Sequence, residues 1–263
     1  MAPLPGVPSD ILVQVGPLLL GYCINWGLFG VLCMQMYMYF LGFPGDLTGV
    51  KILVYTLFAV DTLQTVHNGW HFLVSGWGDP SALIAPGWSW ISVPLFTGVV
   101  SCTVQIFFAW RIKKISGSNW VAAPIVVVAL VQGICAAISG IWFQIIDDVT
   151  KISFLDPTAT VWLAGSAACD VAIAITMVIL VSGLRRSNTG FTGTDQLIRR
   201  LIRMTVETGA LTAFAATMEL ILFLRWKDNN LHMIPALALS KLYTNTLIAT
   251  LNSRNPQYRS SMR

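Results

Sequence analysis

The chain has 263 residues, 55% hydrophobic and only 11% charged, where a soluble domain carries about 25% charged residues. With a mean hydropathy of +0.69, that composition excludes an ordinary water-soluble globule and indicates a polytopic membrane protein. The net charge of +4 raises nucleic acid as a partner, but its distribution, described below, is explained by membrane topology instead.

Seven apolar stretches are long enough to cross a hydrocarbon core of ~30 Å. In chain order they fall at about 15–40, 51–74, 89–110, 120–145, 160–183, 204–225 and 231–252. Backbone polar groups in lipid must be satisfied within their own segment, so these spans are predicted helices. A transmembrane β-barrel would need alternating strands of ~10 residues, and none occur. The expected fold is therefore an all-α seven-transmembrane helix bundle forming one domain over residues 1–263.

The first span follows MAPLPGVPSD, which lacks the basic n-region of a cleavable signal and leaves the span to act as its own insertion signal. Lys and Arg assigned to alternating sides put twelve on one side, among them Lys51, Arg111, Lys113, Lys114, Arg203 and Arg254. Three fall on the other side (Lys151, Arg225, Lys227), and Lys241 lies inside the membrane. Basic residues are retained in the cytoplasm, which predicts an external N-terminus and a cytoplasmic C-terminus. Trp77, Trp88, Trp90, Trp142, Trp162 and Trp226 near outer ends, with Trp110 and Trp120 near inner ends, make the matching aromatic belt. Trp26 and Trp70 stand outside it and are candidates to face the bundle interior.

The second span carries Asp61, Gln64, Thr65, Asn68 and His71 within an arc of about 120° on a 3.6-residue helix. Such a stripe must face other helices or a wet cavity. His67 and His71, spaced i and i+4, are a weak metal signal, and no metal or other cofactor is expected. The outer loop Gly76-Trp77-Gly78-Asp79-Pro80 is a turn. In the fifth span, Asp170 follows the small residues Gly165-Ser166-Ala167-Ala168-Cys169. The longest internal loop, about 184–203, is expected to be cytoplasmic, with Arg199, Arg200 and Arg203 against anionic lipid headgroups. The sixth span places Thr205, Thr208, Thr212 and Glu219 on one face, and Arg203 with Glu207 makes a helix-end ion pair. Lys241 lies mid-span in the seventh, beside Tyr243, Thr244 and Asn245. The five cysteines, all within spans, are expected to be packing residues rather than disulfides.

Several of these motifs recur together elsewhere. Asn25-Trp26-Gly27-Leu28-Phe29-Gly30, Gly76-Trp77-Gly78-Asp79-Pro80 and Phe108-Ala109-Trp110-Arg111-Ile112 come first. Leu201-Ile202-Arg203-Met204-Thr205-Val206-Glu207-Thr208-Gly209, Lys241-Leu242-Tyr243-Thr244-Asn245 and Leu251-Asn252-Ser253-Arg254 follow. In that order the set resembles a large family of uncharacterised seven-span proteins of mushroom-forming fungi. The resemblance implies a fungal multi-pass protein, in the plasma membrane or the endoplasmic reticulum, and brings no activity with it.

Function must come from the buried charges. A charge at mid-bilayer costs about 2.5–3.5 kcal/mol or more, so Asp61, Asp170 and Lys241 need a structural or functional reason. One lysine neutralises one carboxylate, and an acid left without a cation in an apolar site is a candidate proton donor. This suggests an acid/aromatic site for a small lipophilic ligand. Asp61, Asp170 and Glu219 are the catalytic candidates, and Trp26, Gln64, Asn68, Trp70, His71, Lys241, Tyr243 and Asn245 the ligand-binding ones. Fungal membrane-embedded terpene cyclases supply the analogy for an enzyme on an isoprenoid-like substrate. The alternative is a seven-transmembrane receptor or sensor without catalysis. Membrane lipids are the expected surroundings, and the sequence identifies no protein partner.

Overall fold

A computed structural model describes residues 11–70, 89–146, 156–186, 192–226 and 229–254. They form seven helices: α1 (Ile11–Gly42), α2 (Thr48–Trp70), α3 (Ser89–Ser116), α4 (Asn119–Ile146), α5 (Asp156–Arg186), α6 (Thr192–Arg225) and α7 (Met233–Asn252). The first six contain stretches long and apolar enough to cross a membrane, from Val15–Gly42 to Arg203–Arg225. Every helix packs on its chain neighbours, α1 closes the ring on α7, and α3 and α7 also touch across the ring.

The predicted loop over 184–203 is much shorter than expected. Helix α6 begins at Thr192, so Arg199, Arg200 and Arg203 lie on a helix extension. Hydrophobicity ends near Arg203, but the helix does not. Gln196, Leu197, Ile198 and the arginines are nonetheless good helix formers and carry the helix outside the apolar window. The same holds at α3, which continues past Trp110 to Ser116 with Lys113 and Lys114 in its last turn.

Helix α7 is the described helix without a stretch apolar enough to count as a membrane span, and it is the most enclosed. Seventeen of its 20 residues are buried, and Ile234, Leu242 and Ala249 keep some exposure along one narrow stripe. Three asparagines moor it to α1: Asn25 Nδ2 donates to the Leu237 carbonyl (2.6 Å), Asn245 Nδ2 to Leu28 (3.1 Å) and Asn252 Nδ2 to Gln35 (2.8 Å). The offset between partners repeats over seven residues, so α1 and α7 run in the same direction. The outer surfaces of the other helices are apolar, as with Val127, Val131, Ile134 and Ile138 on α4. A face of that kind suits lipid and would aggregate in water.

Small residues set the close approaches. A Cβ on Gly98 of α3 would lie 2.5 Å from the Ala136 Cβ of α4, and one on Gly133 would lie 3.0 Å from the Cys102 Cβ. Membrane helices lacking a hydrophobic driving force associate through this sort of contact. All five cysteines are free.

Where α1 turns into α2, Asp46 joins the end of α7. Arg254 grips it with Nη2–Oδ2 at 2.6 Å and Nη1–Oδ1 at 3.3 Å, while Tyr39 OH donates to Oδ2 (2.9 Å). The guanidinium also lies over the Phe43 ring, 4.5 Å from its centroid. The Arg254 hydrogen bond holds the Asp46 carboxyl below its ordinary value of 3.8, against the opposing effect of burial. A depressed carboxylate contributes fully above its unfolded value and loses that contribution as pH falls through the folded one. Asp46→Asn is therefore expected to cost about 1 kcal/mol near neutrality. Thermal midpoints of wild type and variant should converge only in acid below 3.8. Arg203 and Glu207, by contrast, pair at 2.7 Å with side chains 80% and 58% exposed, so that bond is surface decoration.

Candidate functional site

The buried charges do not meet at one point, because α7 sorts them. Lys241 and Tyr243 are two residues apart, about 200° around a helix, and so face opposite sides. Lys241 turns to α2, and Tyr243 turns to α5.

On the α2 side, the Lys241 Nζ lies 3.3 Å from Asp61 Oδ1, both side chains being fully buried. It also donates to Gln64 Oε1 at 2.7 Å, and the Ser240 hydroxyl donates to the same Asp61 oxygen at 2.5 Å. Thr65 caps the arrangement by bonding back to the Asp61 carbonyl (2.8 Å) and reaching Asn25 Oδ1 (3.4 Å). Asn68 Oδ1 accepts from Ser92 of α3 at 2.7 Å. Among the described residues, Asp61 Oδ2, Gln64 Nε2 and Asn68 Nδ2 of this stripe have no hydrogen-bond partner, and neither has the buried Thr97 Oγ1 of α3.

On the α5 side, Asp170 is held from three helices. Gln105 Nε2 of α3 donates to Oδ1 (2.9 Å), while Thr212 Oγ1 of α6 (2.5 Å) and Tyr243 OH of α7 (2.7 Å) donate to Oδ2. Ser166 Oγ sits 2.7 Å from the Tyr243 hydroxyl. Gln132 of α4 extends the web by donating to Gln105 Oε1 at 3.3 Å. Against the carboxylate lies a small cavity lined by α3, α5, α6 and α7, with Phe108, Ile173, Thr205 and Gly209 in its walls and room for about one water.

The other sequence candidates separate. Glu219 is 4% exposed, its Oε2 has no partner among the described residues, and it lies seven residues beyond Thr212 on α6, two turns from the Asp170 web. Asn245 faces α1, bonding Leu28 and the Lys241 carbonyl. Trp26 and Trp70 are 50% and 65% exposed, so they face the surroundings of the bundle instead of its interior. Trp26 lies close over Gly69 of α2, where an added Cβ would meet its ring at 2.8 Å. His71 and the loop 76–80 lie outside the described residues. Among the described residues no group of three histidine, cysteine, aspartate or glutamate side chains could hold a metal.

Sequence reasoning missed Gln105, Ser166 and Ser240 as partners of the acids. For Gln105 a signal existed: Thr97, Ser101 and Gln105 recur at intervals of four on α3, and all three are fully buried. The stripe carries no charge, so no mid-membrane desolvation cost marks it out in the sequence.

The fold and its apolar exterior define a multi-pass helical membrane protein. Residues 166–256, from the Asp170 region of α5 to just past α7, match a family of unknown function, DUF6534. No curated protein and no solved structure matches the chain.

Proposed function

We propose that this is a seven-span membrane protein with its N-terminus outside and C-terminus cytoplasmic, which binds a small amphiphilic ligand and responds to it without transforming it. An odd number of spans is supported by the common direction of α1 and α7, with α7 as a span lined by protein instead of lipid. The sidedness rests on the basic residues gathered at one end, with Asp46–Arg254 among them.

The observation that carries the binding reading is the row of three buried atoms along α2 that have no partner among the described residues: Asp61 Oδ2, Gln64 Nε2 and Asn68 Nδ2. An unmet buried polar group costs about 1–3 kcal/mol, so a ligand offering both donors and acceptors gains on entering. Catalysis by Asp61 has less support. Lys241 and Ser240 both put hydrogen onto it, the partnership of a charge acceptor and not of an acid with a proton to give. The exposed Trp26 and Trp70 supply no aromatic wall for a developing cation. One observation still favours an enzyme, namely the buried Glu219 carboxyl, whose Oε2 has no hydrogen-bond partner among the described residues.

The discriminating experiment supplies isoprenoid alcohols and epoxides to protein reconstituted in nanodiscs. Thermal midpoint and product formation are followed together. The binding reading expects a ligand-dependent rise in midpoint, lost in Asn68→Leu, with the ligand recovered unchanged. New products that disappear in Glu219→Gln or Asp61→Asn would overturn it in favour of an isoprenoid-transforming enzyme.

A further inference from the structure

The Asp170 cavity is independent of that ligand reading and makes its own demand. Among the described residues, the buried cation Lys241 is committed to Asp61 on the far side of α7, and the partners of Asp170 are all neutral: Gln105, Thr212 and Tyr243. A carboxylate offers about four lone-pair sites, and three are filled here. Asp170 lines the cavity together with Thr212 and Tyr243, and the cavity admits one water-sized guest.

Its rim has the chemistry of a hard-cation site. Thr212 and Tyr243 each spend their hydrogen on Asp170; the Tyr243 oxygen in turn accepts from Ser166 (2.7 Å), while Thr212 keeps oxygen lone pairs for a guest. Thr205 and Thr246 add hydroxyl-bearing side chains to the lining. Carboxylate and hydroxyl oxygens suit hard ions and offer nothing to soft metals. One carboxylate balances one positive charge, whereas a divalent ion would leave a net charge buried. The space also leaves no place for the waters that magnesium retains.

From this geometry we infer that Asp170, Thr212 and Tyr243, with the Thr205 side of α6, form a binding site for a monovalent cation of about sodium size. The ion joins α5, α6 and α7 at mid-bundle. Its occupancy tightens α6 against α7, because Thr212 and Tyr243 come from those two helices.

The test is thermal unfolding of the full-length protein in nanodiscs, with sodium chloride replaced by potassium or choline chloride at constant ionic strength. A saturable rise of a few degrees in sodium is expected. It should be absent in choline, weaker in potassium and lost in Asp170→Asn. Should Asp170→Asn fail to fold, Thr212→Val and Thr205→Val serve instead, each raising the half-saturating sodium concentration roughly tenfold. Glu219→Gln should leave the response unchanged. The inference is overturned by equal midpoints in sodium and choline, by an equal response to potassium, or by a sodium response that survives Asp170→Asn. It is also overturned if the midpoint follows pH alone, which would make a proton the occupant.

Discussion

Lys241→Met is expected to remove most of the folded protein, because it strands a carboxylate whose side chain is fully buried. Breaking a buried pair by deleting one partner costs about 3–5 kcal/mol, while replacing both partners by apolar groups is often neutral. The double variant Lys241→Met/Asp61→Leu should therefore recover much of what the single variant loses. Lys241→Met combined with Asp170→Asn should recover nothing, since Asp170 belongs to a different web on the opposite face of α7. The measurements are the monodisperse fraction after extraction and the thermal midpoint. A single variant as stable as wild type would show that the pair does not hold α7 in place. Rescue by the Asp170 change would mean that Lys241 serves the other acid.

The positions of the helices were legible because apolar length and the need to satisfy the backbone in lipid leave one solution. The pairing of charges was not. Lys241 had two acids at similar depth on different helices, and only the angular position of each side chain on α7 decides between them. Hydrophobicity could not reveal α6 before Arg203, since the helix from Thr192 to that point lies beyond the apolar window. The aromatic candidates failed for a related reason. Trp26 and Trp70 were inferred to face inward from their depth alone, yet depth does not fix azimuth, and both rings are at least half exposed. On α6 the sequence places Thr205, Thr208 and Thr212 on one face, and of these Thr205 and Thr212 line the Asp170 cavity. Helical periodicity thus gave faces, and packing decided which face met which neighbour.

Gly98→Ala tests how closely that packing is drawn, and here two effects have opposite signs. Alanine is the better helix former by roughly 0.8–1.0 kcal/mol, so propensity alone predicts stabilisation. The new Cβ, however, would lie 2.5 Å from the Ala136 Cβ, with the Gly133 carbonyl at 3.5 Å. Neither neighbour is the movable tip of a long side chain, so α3 and α4 must separate. Overpacking of this kind costs typically 1–3 kcal/mol, and sterics win. The separation should also strain Ser101–Gln132 at 3.3 Å and Gln132–Gln105 at 3.3 Å, which carry support from α4 to the Asp170 partner Gln105. The expected outcome is a lower thermal midpoint in Gly98→Ala. The compensating change Ala136→Gly should restore it, because that swap returns one small residue to the crossing. A midpoint at or above wild type in Gly98→Ala would mean that α3 and α4 have slack at this crossing and that helix propensity decides the sign.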